Sequence, residues 1–146
     1  MQVHYSAPGK LFLSGEWAIL EMGTRGIVAA VSKRVHSLVE DNHSGISVSI
    51  DDFNLKSLYA DFDGKKLNFA ESGHEKELQF IREAIEVALR FLGDKGIDNK
   101  NFKIRTWGED TAIEIDGQRK KIGFGSSAAA TAAVNGATSL TPDRSQ

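Results

Sequence analysis

The chain has 146 residues, 40% of them hydrophobic, with a net charge of −2 and no cysteine. That is enough apolar material for one ordinary core. It excludes disulfides and thiolate metal sites, gives no support for a nucleic-acid surface, which would be clearly basic, and contains no apolar run near the ~20 residues that span a bilayer.

Read in chain order, Val3 to Ala7 and Leu11 to Ser14 are short strands around a Pro8-Gly9 turn. Lys10 opens the second of them, beside Leu11, Phe12 and Leu13. Taken alone it reads as a solvated edge lysine; facing a cleft, its ammonium would meet an anion. Lys10 and Glu16 interrupt the apolar opening and no basic start precedes them, so the first twenty residues do not read as a signal peptide, and a cytoplasmic protein is expected. Gly26 to Val31 is an apolar run suited to a buried strand. Val35, Ser37 and Val39 alternate with His36, Leu38 and Glu40, and Ile46, Val48 and Ile50 alternate with serines. The turn-rich Asn42-His43-Ser44-Gly45 between these segments predicts a hairpin. Asp51-Asp52 and Asp61-Phe62-Asp63-Gly64 read as solvated turns without the spacing of a calcium loop.

A helix is predicted from Gly73 to Leu92, with Leu78, Ile81, Ile85, Ala88 and Leu92 on its core face. Ser72-Gly73-His74-Glu75 suits a capping box and Gly93 a C-terminal stop. Phe102 to Thr106 and Ala112 to Ile115 follow as strands, with Trp107 to Asp110 as a loop and Asp116-Gly117-Gln118 as a turn. The four histidines, His4, His36, His43 and His74, show no zinc spacing.

Gly123-Phe124-Gly125-Ser126-Ser127-Ala128 carries the clearest chemistry. Glycines allow a sharp turn and close approach. The alanine-rich helix that begins near Ser126 and fades by Gly136 would present unpaired N–H groups and a positive dipole end. Together these make an anion cradle, most simply for phosphate. Glycine turns and serine caps also occur for structural reasons alone, but paired serines followed at once by small residues favour phosphate. The loop lacks the closing Gly-Lys-Ser/Thr of a Walker A motif and the third glycine of a dinucleotide fingerprint.

The two segments SAPGKLFLSGEWAILE and KKIGFGSSAAATAA resemble motifs one and two of the GHMP kinases, and the opening is most similar to the phosphomevalonate kinases. Trp17 stands where mevalonate kinases usually carry histidine, Lys120-Lys121-Ile122 replaces their Pro-x-Gly-Ala, and Phe124 replaces a usual leucine. The resemblance implies an α+β fold like the amino-terminal GHMP domain, with the ribosomal protein S5 domain 2-like arrangement. It implies ATP as phosphoryl donor, with Lys121, Gly123, Phe124, Gly125, Ser126, Ser127 and Ala128 around its phosphates and Ser127 as a ligand to Mg²⁺. It implies Lys10 as the catalytic cation facing the acceptor and Glu16 near that substrate, although a structural Glu16 and a solvated Lys121 remain open. The partner is then a small-molecule phosphoryl acceptor, and the family reaction converts 5-phosphomevalonate to 5-diphosphomevalonate in isoprenoid synthesis.

The family's third glycine motif has no match, and its catalytic and metal-binding acids would follow motif two, where the sole acid is Asp143. Residues 1–146 are therefore expected to be a truncated amino-terminal, ATP-binding domain without its carboxyl-terminal domain, weak or inactive alone, with an exposed apolar face. The alternatives are mevalonate kinase or another GHMP kinase, and a non-catalytic nucleotide-binding fragment or S5-like module. The last predicts a basic face, against which the net charge counts.

Overall fold

A computed structural model describes residues 2–97, 101–109, 112–121 and 125–140. Six strands form one mixed sheet: β1 (Gln2–Ser14), β2 (Ile27–Asp41), β3 (Ile46–Ile50), β4 (Leu55–Phe62), β5 (Leu67–Phe69) and β6 (Phe102–Gly108). Their spatial order is β1-β2-β6-β3-β4-β5, with β3 and β6 parallel and every other pair antiparallel. A separate ribbon pairs β7 (Ala112–Ile115) with β8 (Gln118–Lys121). Helices α1 (Glu75–Asp94) and α2 (Ser126–Ser139) complete the α+β fold.

The alternation read from the sequence sets the core. Val39, Ile46, Val48, Phe102 and Ile104 are buried and meet Ile81, Ile85 and Leu89 of α1 and Val134 of α2. A smaller cluster joins Ala7 and Val35 to Ala129 and Ala133, where small side chains let α2 approach the sheet closely. His36, Arg105 and their neighbours point to the opposite, helix-free face.

Several local expectations are corrected. Pro8-Gly9 is not a turn: β1 is continuous, and the register shifts between Pro8 and Lys10. An edge strand tolerates the missing proline donor, and the bulge absorbs the extra residue. The β2–β3 hairpin does not form, because β6 inserts between them, antiparallel to β2 and parallel to β3. The apolar run after Gly26 does join β2, but Ile27 and Val28 are exposed. Trp107 and Gly108 extend β6 instead of looping, with Asp110 outside the described residues.

Helix α1 buries the predicted stripe. The expected capping box does not form: the N-cap is His74, with no side-chain cap, and the Glu75 carboxylate accepts from the Gly73 N–H instead. Its stop is Gly96, not Gly93: Gly96 N–H donates to the Gly93 carbonyl and Ile97 N–H to that of Leu92, the paired bonds of a Schellman motif. Helix α2 continues past Gly136, which lies against the Tyr5 ring. Asp51 and Asp52 are not free turn residues. The Asp51 carboxylate takes two guanidinium N–H groups of Arg105 (closest 2.6 Å), and Asp52 accepts from Gly108 N–H.

Candidate phosphate site

Gly125 is the N-cap of α2, at φ 66° and ψ 39°, a left-handed conformation that suits glycine. No side chain caps the helix, and its first backbone bond runs from Ala129 N–H to the Gly125 carbonyl. Helical geometry therefore gives the N–H groups of Ser126, Ser127 and Ala128 no intrahelical acceptor. These three residues are exposed.

Lys10 comes to the same place from β1. A Cβ on Gly125 would stand 3.0 Å from Lys10 Cγ and 3.4 Å from Lys10 Cε, so the lysine stem lies directly against the glycine. Its ammonium sits 5.4 Å from the centre of the Phe12 ring. Among the described residues no carboxylate pairs with it. A cation beside the positive end of a helix dipole is unfavourable unless an anion joins them. Lys10 and the α2 terminus thus form two sides of an anion site.

The cradle opens onto a cleft of about 150 Å³, lined by Asp52, Phe53, Lys76 and Phe80 as well as Ser126 and Ser127. Its mixed apolar and polar wall suits the remainder of a phosphate-bearing molecule.

The other expected site residues fall elsewhere. Glu16 lies exposed in the turn after β1 and makes no hydrogen bond or ion pair among the described residues. Lys121 ends β8, and its side chain lies outside the described part. Gly123, Phe124 and Asp143 also lie outside it.

Sequence reading missed a cluster on the helix-free face. His4 Nε2 and His36 Nδ1 are 3.1 Å apart, and His36 Nε2 is 3.3 Å from Glu109 Oε1. An ionised carboxylate only accepts, so His36 carries its hydrogen on Nε2 and takes that of His4 on Nδ1. Trp107, opposite His36 across the strands, lies nearly parallel to both rings. The cross-strand register brings these residues together, and no short motif encodes it. Among the described residues no group of three or more His, Cys, Asp or Glu is arranged to hold a metal ion.

No protein-family model matches the chain. Over 136 residues it is 29% identical to phosphomevalonate kinase of Streptomyces sp. (strain CL190), a match covering 88% of this chain and 35% of that protein. Among solved structures, Methanococcus jannaschii mevalonate kinase superposes with a TM-score of 0.69 at 25% identity, covering 95% of this chain and 40% of that one. Streptococcus pneumoniae phosphomevalonate kinase, in complex with phosphomevalonate and AMPPNP, does so with a TM-score of 0.66 at 24% identity, covering 92% and 35%. The fold is that of the GHMP kinases. The chain spans about a third of the curated relative it matches, 35% of its length. Both GHMP-like motifs meet in space: Lys10 of the first touches Gly125 of the second. No helix among the described residues is long and apolar enough to cross a membrane.

Proposed function

We propose that this chain is the phosphate-binding part of a GHMP-type kinase that transfers the γ-phosphoryl group of ATP to a small molecule. The observation that carries this reading is the Lys10 stem lying against the uncapped α2 terminus. Phosphoryl transfer needs alignment and charge neutralisation more than covalent chemistry from the protein. The N–H groups of Ser126, Ser127 and Ala128 would hold phosphate oxygens, with the left-handed Gly125 letting the backbone close on them. The cleft beside them takes the rest of the nucleotide. Lys10 faces the acceptor and offsets charge that develops as the bond to ADP breaks and the bond to the acceptor oxygen forms.

The exposed Ser127 hydroxyl, next to unpaired N–H groups, is a suitable oxygen ligand for Mg²⁺. When bound, that ion would supply further charge neutralisation on the phosphates.

For the acceptor we favour 5-phosphomevalonate, whose phosphate oxygen would attack the γ-phosphorus to give 5-diphosphomevalonate. The curated relative is a phosphomevalonate kinase, which supports this choice. Mevalonate is the rival, supported by the likeness to the Methanococcus enzyme. Assaying the longer protein on both acceptors separates them. The first test is calorimetric titration of the chain with a non-hydrolysable ATP analogue and Mg²⁺. Binding by the wild type, abolished in folded Gly125→Val and weakened in Ser127→Ala and Lys10→Met, is expected. A folded wild type that binds nothing would overturn the reading.

A further inference from the structure

We propose that Phe12 is a positioning residue: its ring holds the Lys10 ammonium at the mouth of the cradle. Lys10 and Phe12 are two apart on β1 and so share a face of the strand. The ammonium lies 5.4 Å from the ring centre, inside the ~6 Å reach of a cation–π contact. Phe12 is half-buried and paired across the ladder with Val28, so its own place is fixed.

The need for such a holder follows from electrostatics. The α2 terminus repels the ammonium, and no carboxylate among the described residues attracts it. A lysine stem has many rotamers and would swing into solvent. The electron-rich ring face supplies attraction without the negative charge that would compete with a phosphate. Gly125 supplies the path, since the stem runs 3.0 Å from where its Cβ would be. Phe12 therefore keeps the cation in place while leaving it unneutralised for the incoming anion.

This inference rests on the phosphate reading above, and its test keeps the two apart. In the free 146-residue chain, NMR should show the Lys10 Hε protons shifted upfield by the ring. The shift should vanish in Phe12→Leu and persist in Phe12→Tyr. By calorimetry, Phe12→Leu should weaken inorganic tripolyphosphate binding about two- to fivefold, with Phe12→Tyr close to wild type. In a Lys10→Met background the Phe12→Leu change should have no further effect. Unchanged Lys10 shifts in Phe12→Leu, or the same loss of affinity without Lys10, would overturn the proposal. A wild type with the ring shift but no tripolyphosphate binding would sink the phosphate reading, and the role of Phe12 with it.

Discussion

The Tyr5 ring occupies the space that a side chain on Gly136 would need: a Cβ there would stand 2.7 Å from Tyr5 Cδ1. Strand β1 and helix α2, which carry the two halves of the proposed phosphate site, are registered by this contact. Gly136→Val should destabilise the chain by about 1–3 kcal/mol through overpacking. Adding Tyr5→Ala should return part of that loss. Urea unfolding of the two variants and the pair checks it, and additive losses would show that the contact does not set the spacing.

Ser37 gives the opposite expectation. Its hydroxyl is buried, with no hydrogen-bond partner among the described residues. An unsatisfied buried hydroxyl costs free energy, and alanine removes it with little change of shape. Ser37→Ala should be neutral or stabilising by up to ~1 kcal/mol, read from the denaturation midpoint. A loss above that range would reveal a partner.

The His36–Glu109 contact makes stability pH-dependent. The hydrogen bond from His36 holds the Glu109 carboxyl below its ordinary value of 4.5, helped by the backbone N–H of Arg34. A carboxyl depressed in the folded state contributes stability above its unfolded value and loses it as pH falls through the folded one. Melting temperature should therefore drop from pH 5 towards pH 3, and Glu109→Gln should flatten part of that drop. An identical acid profile in the variant would remove Glu109 from the account.

Leu13, Trp17, Leu20, Met22 and Ile27 are exposed around the end of β1 and the start of β2. Exposed apolar side chains in this number offer a surface to hydrophobic probes. The chain should bind a hydrophobic dye, and Leu20→Ser with Met22→Ser should reduce the fluorescence. A chain that leaves the dye dark would contradict this.

The isolated chain, which spans 35% of the length of the curated relative, is expected to turn over ATP weakly or not at all. Coupled ADP release measures it. Robust turnover that depends on Lys10 would show the chain to be sufficient.

The sequence was most legible where one period governs one face. The stripe from Leu78 to Leu92 and the alternation Ile46-Val48-Ile50 were readable because burial repeats at helical or strand spacing. The start of α2 at Ser126 was readable because a glycine followed by serines and small residues is a local helix signal. What escaped depends on pairing between distant segments. Nothing near Asn42 tells that β6 will enter between β2 and β3, and the contacts of Trp107 and Glu109 with His36 follow from that insertion. The Lys10–Phe12 contact escaped as well, because periodicity does not report which cation rests on a ring.

The register shift in β1 bears on how the sheet ends. Its two edges are β1 and the three-residue β5. A further strand laid along β1 could follow the register before Pro8 or the register from Lys10, but not both, and it would find no N–H at Pro8. The same irregularity that precedes Lys10 thus disfavours growth of the sheet by pairing with other chains at this edge.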